Sequence, residues 1–314
     1  MSPAARIACL ACWNVDLTLR VPHLPSRGET LFGDAFTIGP GGKGSNVAVG
    51  AARLGAQVDV IARLGDDDFG RRALPFWHAE GIGTAHTEVA TGEPNAVASI
   101  LVGADGENQI AVFRGAGYRL GADQVRAARA AFVRAAVVTL PLEVHDEAVG
   151  AALQLARECG ARTLLNPAPA RPLPQEWLTQ VDVLTPNALE AHQLCGLDTA
   201  ATIDVAALGG RLLGLGVGAV VMTCGADGAW VFESAQPPRH VAPFSVRAVD
   251  SVGAGDAFNA GLCVALAEGA SLAEAARFAS ATAALATTRE GAALAMPMRA
   301  EVHHLLNPRE RLTQ

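Results

Sequence analysis

Apolar residues follow two rhythms along this chain. Short, largely apolar runs at residues 7–13, 58–62, 137–140, 163–165, 183–185 and 219–223 are too brief for buried helices, so they read as strands of a covered sheet. Several lead into stretches with helical spacing, at 67–80, 145–159, 256–268 and 272–287. That alternation predicts βαβ units and a doubly wound, mostly parallel sheet flanked by helices. Residues 16–38 and 96–113 break the rhythm. They alternate with period two, the second around the turn pair Asp105-Gly106, and predict a small β-sheet lid formed by about 14–38 and 96–117. A few strands cannot bury an apolar face alone, so pairing of two lids in a homodimer is expected. Residues 1–314 contain no repeat and no linker, and read as a single domain. Pro75, inside the helical stretch 67–80, should kink or interrupt it.

Composition narrows the function. Half of the residues are apolar, enough for a large core. A formal net charge of −7 with no basic run argues against a nucleic-acid partner, which is held mainly through clustered Lys and Arg. The apolar stretch 7–13 is too short to span a membrane, lacks a signal-type cleavage site and runs into Asp16, so a cytoplasmic protein with no membrane partner is expected. Cys9 and Cys12 form a Cys-x-x-Cys pair among six cysteines. No second pair completes a zinc site, and a redox pair should open a helix, so both read as buried reduced thiols.

Two glycine-rich segments carry the candidate chemistry. Asp250-Ser251-Val252-Gly253-Ala254-Gly255-Asp256 runs directly into a helix. Small residues at a helix start leave backbone N–H groups bare where the helix dipole favours an anion. A carboxylate beside that cradle could take a proton from an attacking hydroxyl, which suits phosphoryl transfer. Taken alone, the segment fits equally well a tight turn in which Asp256 caps the helix. The second segment, Gly39 to Asn46, leads into a helix ending near Leu54 and Gly55. It is not a nucleotide P-loop, because position 37 is Thr and Gly44 follows Lys43. Its glycines let the backbone approach a polyhydroxyl ligand, with Lys43 and Asn46 supplying hydrogen bonds; a turn with Asn46 as N-cap is the plainer alternative.

Taken together these segments resemble the PfkB carbohydrate kinase family over essentially the whole chain. Gly41-Gly42-Lys43-Gly44-Ser45-Asn46 lies early and Asp250 to Asp256 late, at the family's spacing. Between them match Asn14-Val15-Asp16, Gly65-Asp66-Asp67, Glu143, Asn166-Pro167-Ala168-Pro169-Ala170 and Thr185-Pro186-Asn187-Ala188-Leu189-Glu190. The resemblance implies a ribokinase-like fold and an ATP-dependent kinase acting on the primary hydroxyl of a pentose, D-ribose to D-ribose 5-phosphate. It implies Asp256 as general base, an anion hole of Gly253, Ala254 and Gly255, and sugar binding by Asn14, Asp16, Gly42, Lys43, Asn46 and Glu143. ATP would lie against Asn187, Thr223, Gly225, Gly228, Gly255 and Ser280. A hydrated Mg²⁺ would sit near Asn187 and Glu190, and an activating K⁺ near Asp250, Val252, Thr287 and Gly291.

Departures from the family pattern bear on the substrate. Gly117 stands where an Asn is common, Arg114 replaces a smaller or His-like neighbour near the lid, and Ser280 stands where a ring often packs on adenine. Fructose, a nucleoside or a phosphorylated sugar therefore remain alternative substrates, although aromatics to stack a base are only 5% of the chain. A non-catalytic sugar sensor would not need a base beside the phosphate cradle. A dinucleotide-dependent oxidoreductase would need Gly-x-Gly-x-x-Gly after the first strand, and it is absent.

Overall fold

The structure, a computed structural model, describes residues 5–198 and 204–307. Its strands are β1 (Arg6–Ala11), β2 (Asn14–Arg20), β3 (Ala35–Gly41), β4 (Gln57–Gly65), β5 (Gly83–Ala90), β6 (Ala96–Val102), β7 (Asn108–Phe113), β8 (Val137–Pro141), β9 (Arg162–Asn166), β10 (Val183–Leu184), β11 (Ala219–Thr223), β12 (Ala229–Glu233) and β13 (Arg239–Val241). The α-helices are α1 (Lys43–Arg53), α2 (Ala73–Ala79), α3 (Ala122–Ala127), α4 (Arg129–Arg134), α5 (Asp146–Cys159), α6 (Gln175–Leu178), α7 (Ala188–Leu194), α8 (Val205–Gly214), α9 (Ala254–Ala267), α10 (Leu272–Ala286) and α11 (Arg299–Leu306).

Nine strands form one sheet in the order β13-β12-β11-β10-β9-β8-β1-β4-β5. It is parallel from β5 to β11, and β12 and β13 run antiparallel at the edge. The pleat sorts β1 cleanly. Ile7, Cys9 and Ala11 join the core layer under α1, α9 and α10, whereas Ala8, Leu10 and Cys12 join the layer under α3, α4, α5 and α8. Cys9 and Cys12 therefore face opposite sides of the sheet, where they can neither bridge nor share a metal. Each thiol instead donates locally, Cys9 to the Gly44 carbonyl at 3.1 Å and Cys12 to Asn14 Oδ1 at 3.1 Å.

Small residues let α1, α9 and α10 pack closely. A Cβ at Gly50 would stand 2.7 Å from that of Ala260, and one at Gly261 would stand 2.8 Å from the Ala279 Cα. The alanine-rich composition of these helices thus serves a tight three-helix layer over the sheet.

The two period-two segments form a separate four-stranded sheet, β3-β2-β6-β7. Both hairpins are antiparallel, but β2 and β6 pair in parallel, so the small sheet is mixed. The helix expected at 67–80 is shorter: Gly70–Arg72 form a 3-10 turn, with Gly70 N–H donating to Asp67 Oδ1 at 2.8 Å, and only α2 is α-helical. Pro75 falls in the first turn of α2, where its missing N–H costs little. The interruption lies upstream of it.

Candidate active site

Ligands of an open α/β sheet bind beyond the carboxyl ends of its strands, at the point where the winding reverses. Here the chain moves from β1 outward through β4 and β5, then returns to place β8 on the other side of β1. The sequence-predicted polar residues lie just past these strand ends. Asn14 and Asp16 follow β1, Glu143 follows β8, Asn166 ends β9, Asn187 follows β10 and Thr223 ends β11. Asn187 and Thr223 also form a bridge that extends the parallel ladder.

The glycine-rich segment fits its place sterically. Gly42 has φ +94°, and a Cβ there would collide with the Cys12 carbonyl; one at Gly41 would collide with the Asp16 carboxylate. The segment is thus pressed against the end of β1, with Asp16 lying over Gly41. α1 then splits its first polar residues between two tasks. Ser45 accepts from Trp77 Nε1 at 2.9 Å in the core, while Asn46 donates through Nδ2 to Asp256 Oδ2 at 2.8 Å. The Asn46 Oδ1 is buried with no protein partner.

Around this contact the buried Asp256, the half-buried Asp16 and Glu143 and the Lys43 ammonium influence one another. Glu143 accepts from the Lys43 backbone N–H at 2.7 Å. Burial pushes the Glu143 carboxyl up to about 7, against the opposing pull of Lys43. Burial and the nearby Asp256 push Asp16 up to about 6, again opposed by Lys43. Asp256, only 7% exposed, is raised by burial and lowered by Lys43 and Asn46. Lys43 is in turn held charged chiefly by Asp256. Such a group of buried acceptors with one donor suits a ligand bearing several hydroxyls.

Of these residues Lys43 and Asp256 line the cleft, whose other wall includes the start of α9. α9 begins at Ala254 with Gly253 in the left-handed region at φ +76°. The Ala254 N–H closes the turn on the Ser251 carbonyl at 3.2 Å, so it is not a bare donor as the sequence suggested. Gly253, Gly255 and Asp256 keep N–H groups with no protein acceptor among the described residues, and these three line the cleft. A Cβ at Gly255 would meet no atom within 4 Å. The space above Gly255 is cleft, about 190 Å³ in all, also lined by Lys43, Asn166, Ala168, Thr185, Asn187, Glu190, Thr223 and Asn259.

Asn187 and Glu190 form a reciprocal capping box on α7, with Glu190 N–H donating to Asn187 Oδ1 at 2.8 Å and Asn187 N–H to Glu190 Oε2 at 2.9 Å. They cap the helix and line the cleft at once. One Glu190 oxygen remains outside the box, and burial holds this carboxyl above its usual range. No group of three or more His, Cys, Asp or Glu able to hold a metal occurs among the described residues. A single free carboxylate oxygen among amides suits a hydrated Mg²⁺ held through its waters.

The loops expected to hold K⁺ are brought together. Asp250 accepts from the N–H groups of Val252 at 3.0 Å and Gly291 at 2.9 Å, and the Thr287 carbonyl accepts from Val249 and Asp250. The Thr287 carbonyl is therefore already occupied, and a cation there would use other carbonyls of the pair.

Gly225 opens an exposed 3-10 turn after β11, while Gly228 is pressed against the Val241 carbonyl and Pro243, away from the cleft lining. Ser280 is buried on α10, its hydroxyl without a partner. Arg114 lies over the Tyr118 ring at 4.2 Å. Sequence reasoning missed Asn259. Only 2% exposed, it donates from Nδ2 to the Gly255 carbonyl at 2.9 Å and leaves Oδ1 buried and unpaired in the cleft. The available signal was an amide three residues after Asp256 in an otherwise apolar helix.

A switch-point cleft in which Lys43 and Asp256 meet an open helix N-terminus defines a small-molecule phosphotransferase of the α/β class. The model of the pfkB family carbohydrate kinases matches residues 4–299, and the chain belongs to that family. Ribokinases of Haemophilus influenzae and Bacillus subtilis are each 36% identical, over 96% of this chain and 98% and 99% of their own lengths. A deoxyribokinase of Salmonella typhi is 35% identical over 80% of this chain and 82% of its own length. Among solved structures, a Thermotoga maritima ribokinase superposes with a TM-score of 0.86 at 30% identity, covering 96% of this chain and 99% of that one. An Arabidopsis thaliana ribokinase complexed with ribose and ATP superposes with a TM-score of 0.86 at 28% identity, covering 97% and 99%. The protein is thus an enzyme, a carbohydrate kinase with the ribokinase-like fold. None of the helices among the described residues is long and apolar enough to cross a membrane.

Proposed function

We propose that the protein transfers the γ-phosphoryl group of ATP to the primary hydroxyl of a pentose, converting D-ribose to D-ribose 5-phosphate. The observation that carries this reading is the placement of the Asp256 carboxylate. It sits between Asn46, on the side of the hydroxyl acceptors, and the unpaired N–H groups of Gly253, Gly255 and Asp256 itself. The relatives named ribokinase, and the plant relative solved with ribose and ATP, support ribose and ATP as the pair.

Asn14, Asp16, Lys43, Asn46 and Glu143 bind the sugar hydroxyls, and the Gly42 backbone admits the ring closely. Asp256 takes the proton of the attacking hydroxyl as the oxygen bonds to phosphorus and the bond to ADP breaks. Burial raises the Asp256 carboxyl above its ordinary range, and Lys43 and then the Asn46 hydrogen bond oppose that rise. The α9 N-terminus takes up charge on the transferring group. The nucleotide lies along Asn187, Thr223 and Gly225, with Gly228 shaping the loop and Ser280 at the adenine end. Mg²⁺ bound to the phosphates would be held through water by Asn187 and Glu190, where it neutralises phosphate charge. K⁺ between the 250–252 and 287–291 loops would stiffen the anion hole. The small sheet closes over the sugar and excludes water, and two copies pair through it.

The deoxyribokinase relative favours a second substrate, 2-deoxyribose, on the same site. ADP release measured across ribose, 2-deoxyribose, fructose and nucleosides decides between them. Ribose is expected to give the highest kcat/KM. Preference for a nucleoside, or no sugar-dependent release at all, would remove this reading.

A further inference from the structure

We propose that Cys12 is a positioning residue for the sugar: its thiol turns the Asn14 carboxamide so that the amide nitrogen, not the oxygen, is offered to the ligand. The inference rests on the sugar kinase reading above. Cys12 lies in the two-residue link between β1 and β2 and is 3% exposed. Its Sγ donates to Asn14 Oδ1 at 3.1 Å, and Asn14 is itself only 6% exposed. The Asn14 Nδ2 donates to no protein acceptor among the described residues. A carboxamide has near-identical ends, and which end faces a ligand is set by whatever neighbour tells the oxygen from the nitrogen. Here that neighbour is a thiol. Burial first, and then the nearby Glu143 carboxylate, hold it protonated far above the ordinary range, so it stays a donor at any working pH.

Gly117 completes the arrangement. A Cβ at this position would lie 2.8 Å from Cys12 Sγ and 3.4 Å from the Arg63 carbonyl. Its bare backbone, which the sequence showed as a departure from the family pattern, is the room that the thiol needs. Cys12 and Gly117 act as one unit, and a side chain at 117 pushes on the thiol that orients Asn14. The site consequently presents a fixed donor to a sugar oxygen at Asn14, beside the acceptors at Asp16 and Glu143. Discrimination between sugars at this point depends on whether they carry an oxygen there to accept.

The test compares the wild type with Cys12→Ala, Cys12→Ser and Gly117→Ala. Sugar affinity is measured by calorimetry without nucleotide, alongside kcat, both KM values and the thermal midpoint. Cys12→Ala is expected to weaken ribose binding and raise its KM about tenfold, the scale of one hydrogen bond, with kcat and the ATP KM within about twofold. Cys12→Ser restores most of the affinity, because a hydroxyl can donate to the same oxygen although it fills the space less well. Gly117→Ala, which keeps the thiol but crowds it, weakens sugar binding similarly, and adding it to Cys12→Ala costs nothing further. Unchanged affinity in Cys12→Ala, a serine variant as weak as the alanine one, or full additivity with Gly117→Ala each overturns the proposal. A wild type without sugar-dependent ADP release removes the kinase reading and this inference together, whereas an active wild type indifferent to Cys12→Ala removes this inference alone.

Discussion

The two halves of the cleft solve recognition with different materials. On one side, the buried Asn46 and the half-buried Asp16, Lys43 and Glu143 hold amide and charged side chains partly out of water. On the other, the α9 N-terminus offers backbone N–H groups around a glycine whose missing side chain is open space. The side-chain half carries an electrostatic burden when empty, because burial opposes ionisation of its carboxyls. The backbone half carries none, because its donors belong to a helix that forms regardless of ligand. Under the proposed function, the sugar is read by side chains and the phosphate by the main chain.

The largest expected effect tests the point where the halves meet. Asp256→Asn should lower kcat by at least about a hundredfold while calorimetry still detects ribose binding. Near-normal turnover would remove Asp256 as the base.

A pair of glycine substitutions separates fit from function. Gly255→Ala places its methyl in open cleft, so the thermal midpoint should hold or rise while kcat falls about tenfold, ~1.4 kcal/mol of transition-state stabilisation. Gly42→Ala instead drives a Cβ into the Cys12 carbonyl at positive φ, and should lower the midpoint by several degrees through strain of about 1–3 kcal/mol. Equal stability losses in both variants would dissolve the distinction between the halves.

A smaller effect concerns pH. The folded values of about 6 for Asp16 and about 7 for Glu143 exceed those of the unfolded chain, so the folded state binds more protons in the window from about pH 4 to 7. Their contribution to stability is therefore present at low pH and is lost as pH rises through 6 and 7. Glu143→Gln should raise the unliganded midpoint at pH 8 by about 2 °C, with the gain gone at pH 4, yet weaken ribose binding at pH 8. A gain that grows on acidification would reverse the assigned sign. The smallest expected change is the loss, severalfold, of kcat when K⁺ is replaced by tetramethylammonium; identical kinetics in both salts would exclude a cation role for the loops at 250–252 and 287–291.

The difference between the halves also explains what the sequence could disclose. Strands and helices of the large sheet follow from apolar runs and helical spacing, and the place of Thr223 follows from a strand end, whereas Asn14 and Glu143 were singled out only by the family resemblance. Contacts made by position rather than pattern stayed hidden. The pairing of β2 with β6 joins segments about eighty residues apart, and its parallel sense has no local signal. The use of the Ala254 N–H on Ser251 depends on the turn at Gly253, and the unpaired Asn259 Oδ1 depends on which face of α9 meets the cleft. The proposed roles of Asp256 and Asn46 owed their weight to several motifs occurring together, since alone Asp256 reads equally well as a cap and Asn46 more plainly as one.

Asp16 and Asn14 belong to β2 of the small sheet, whereas Glu143 and Asp256 are anchored to the large one. A bound pentose gripping both sets would stitch two separately hydrogen-bonded ladders together, making the substrate a temporary structural member of the enzyme. Amide exchange in β2, β3, β6 and β7 would then slow with sugar alone, before any nucleotide arrives.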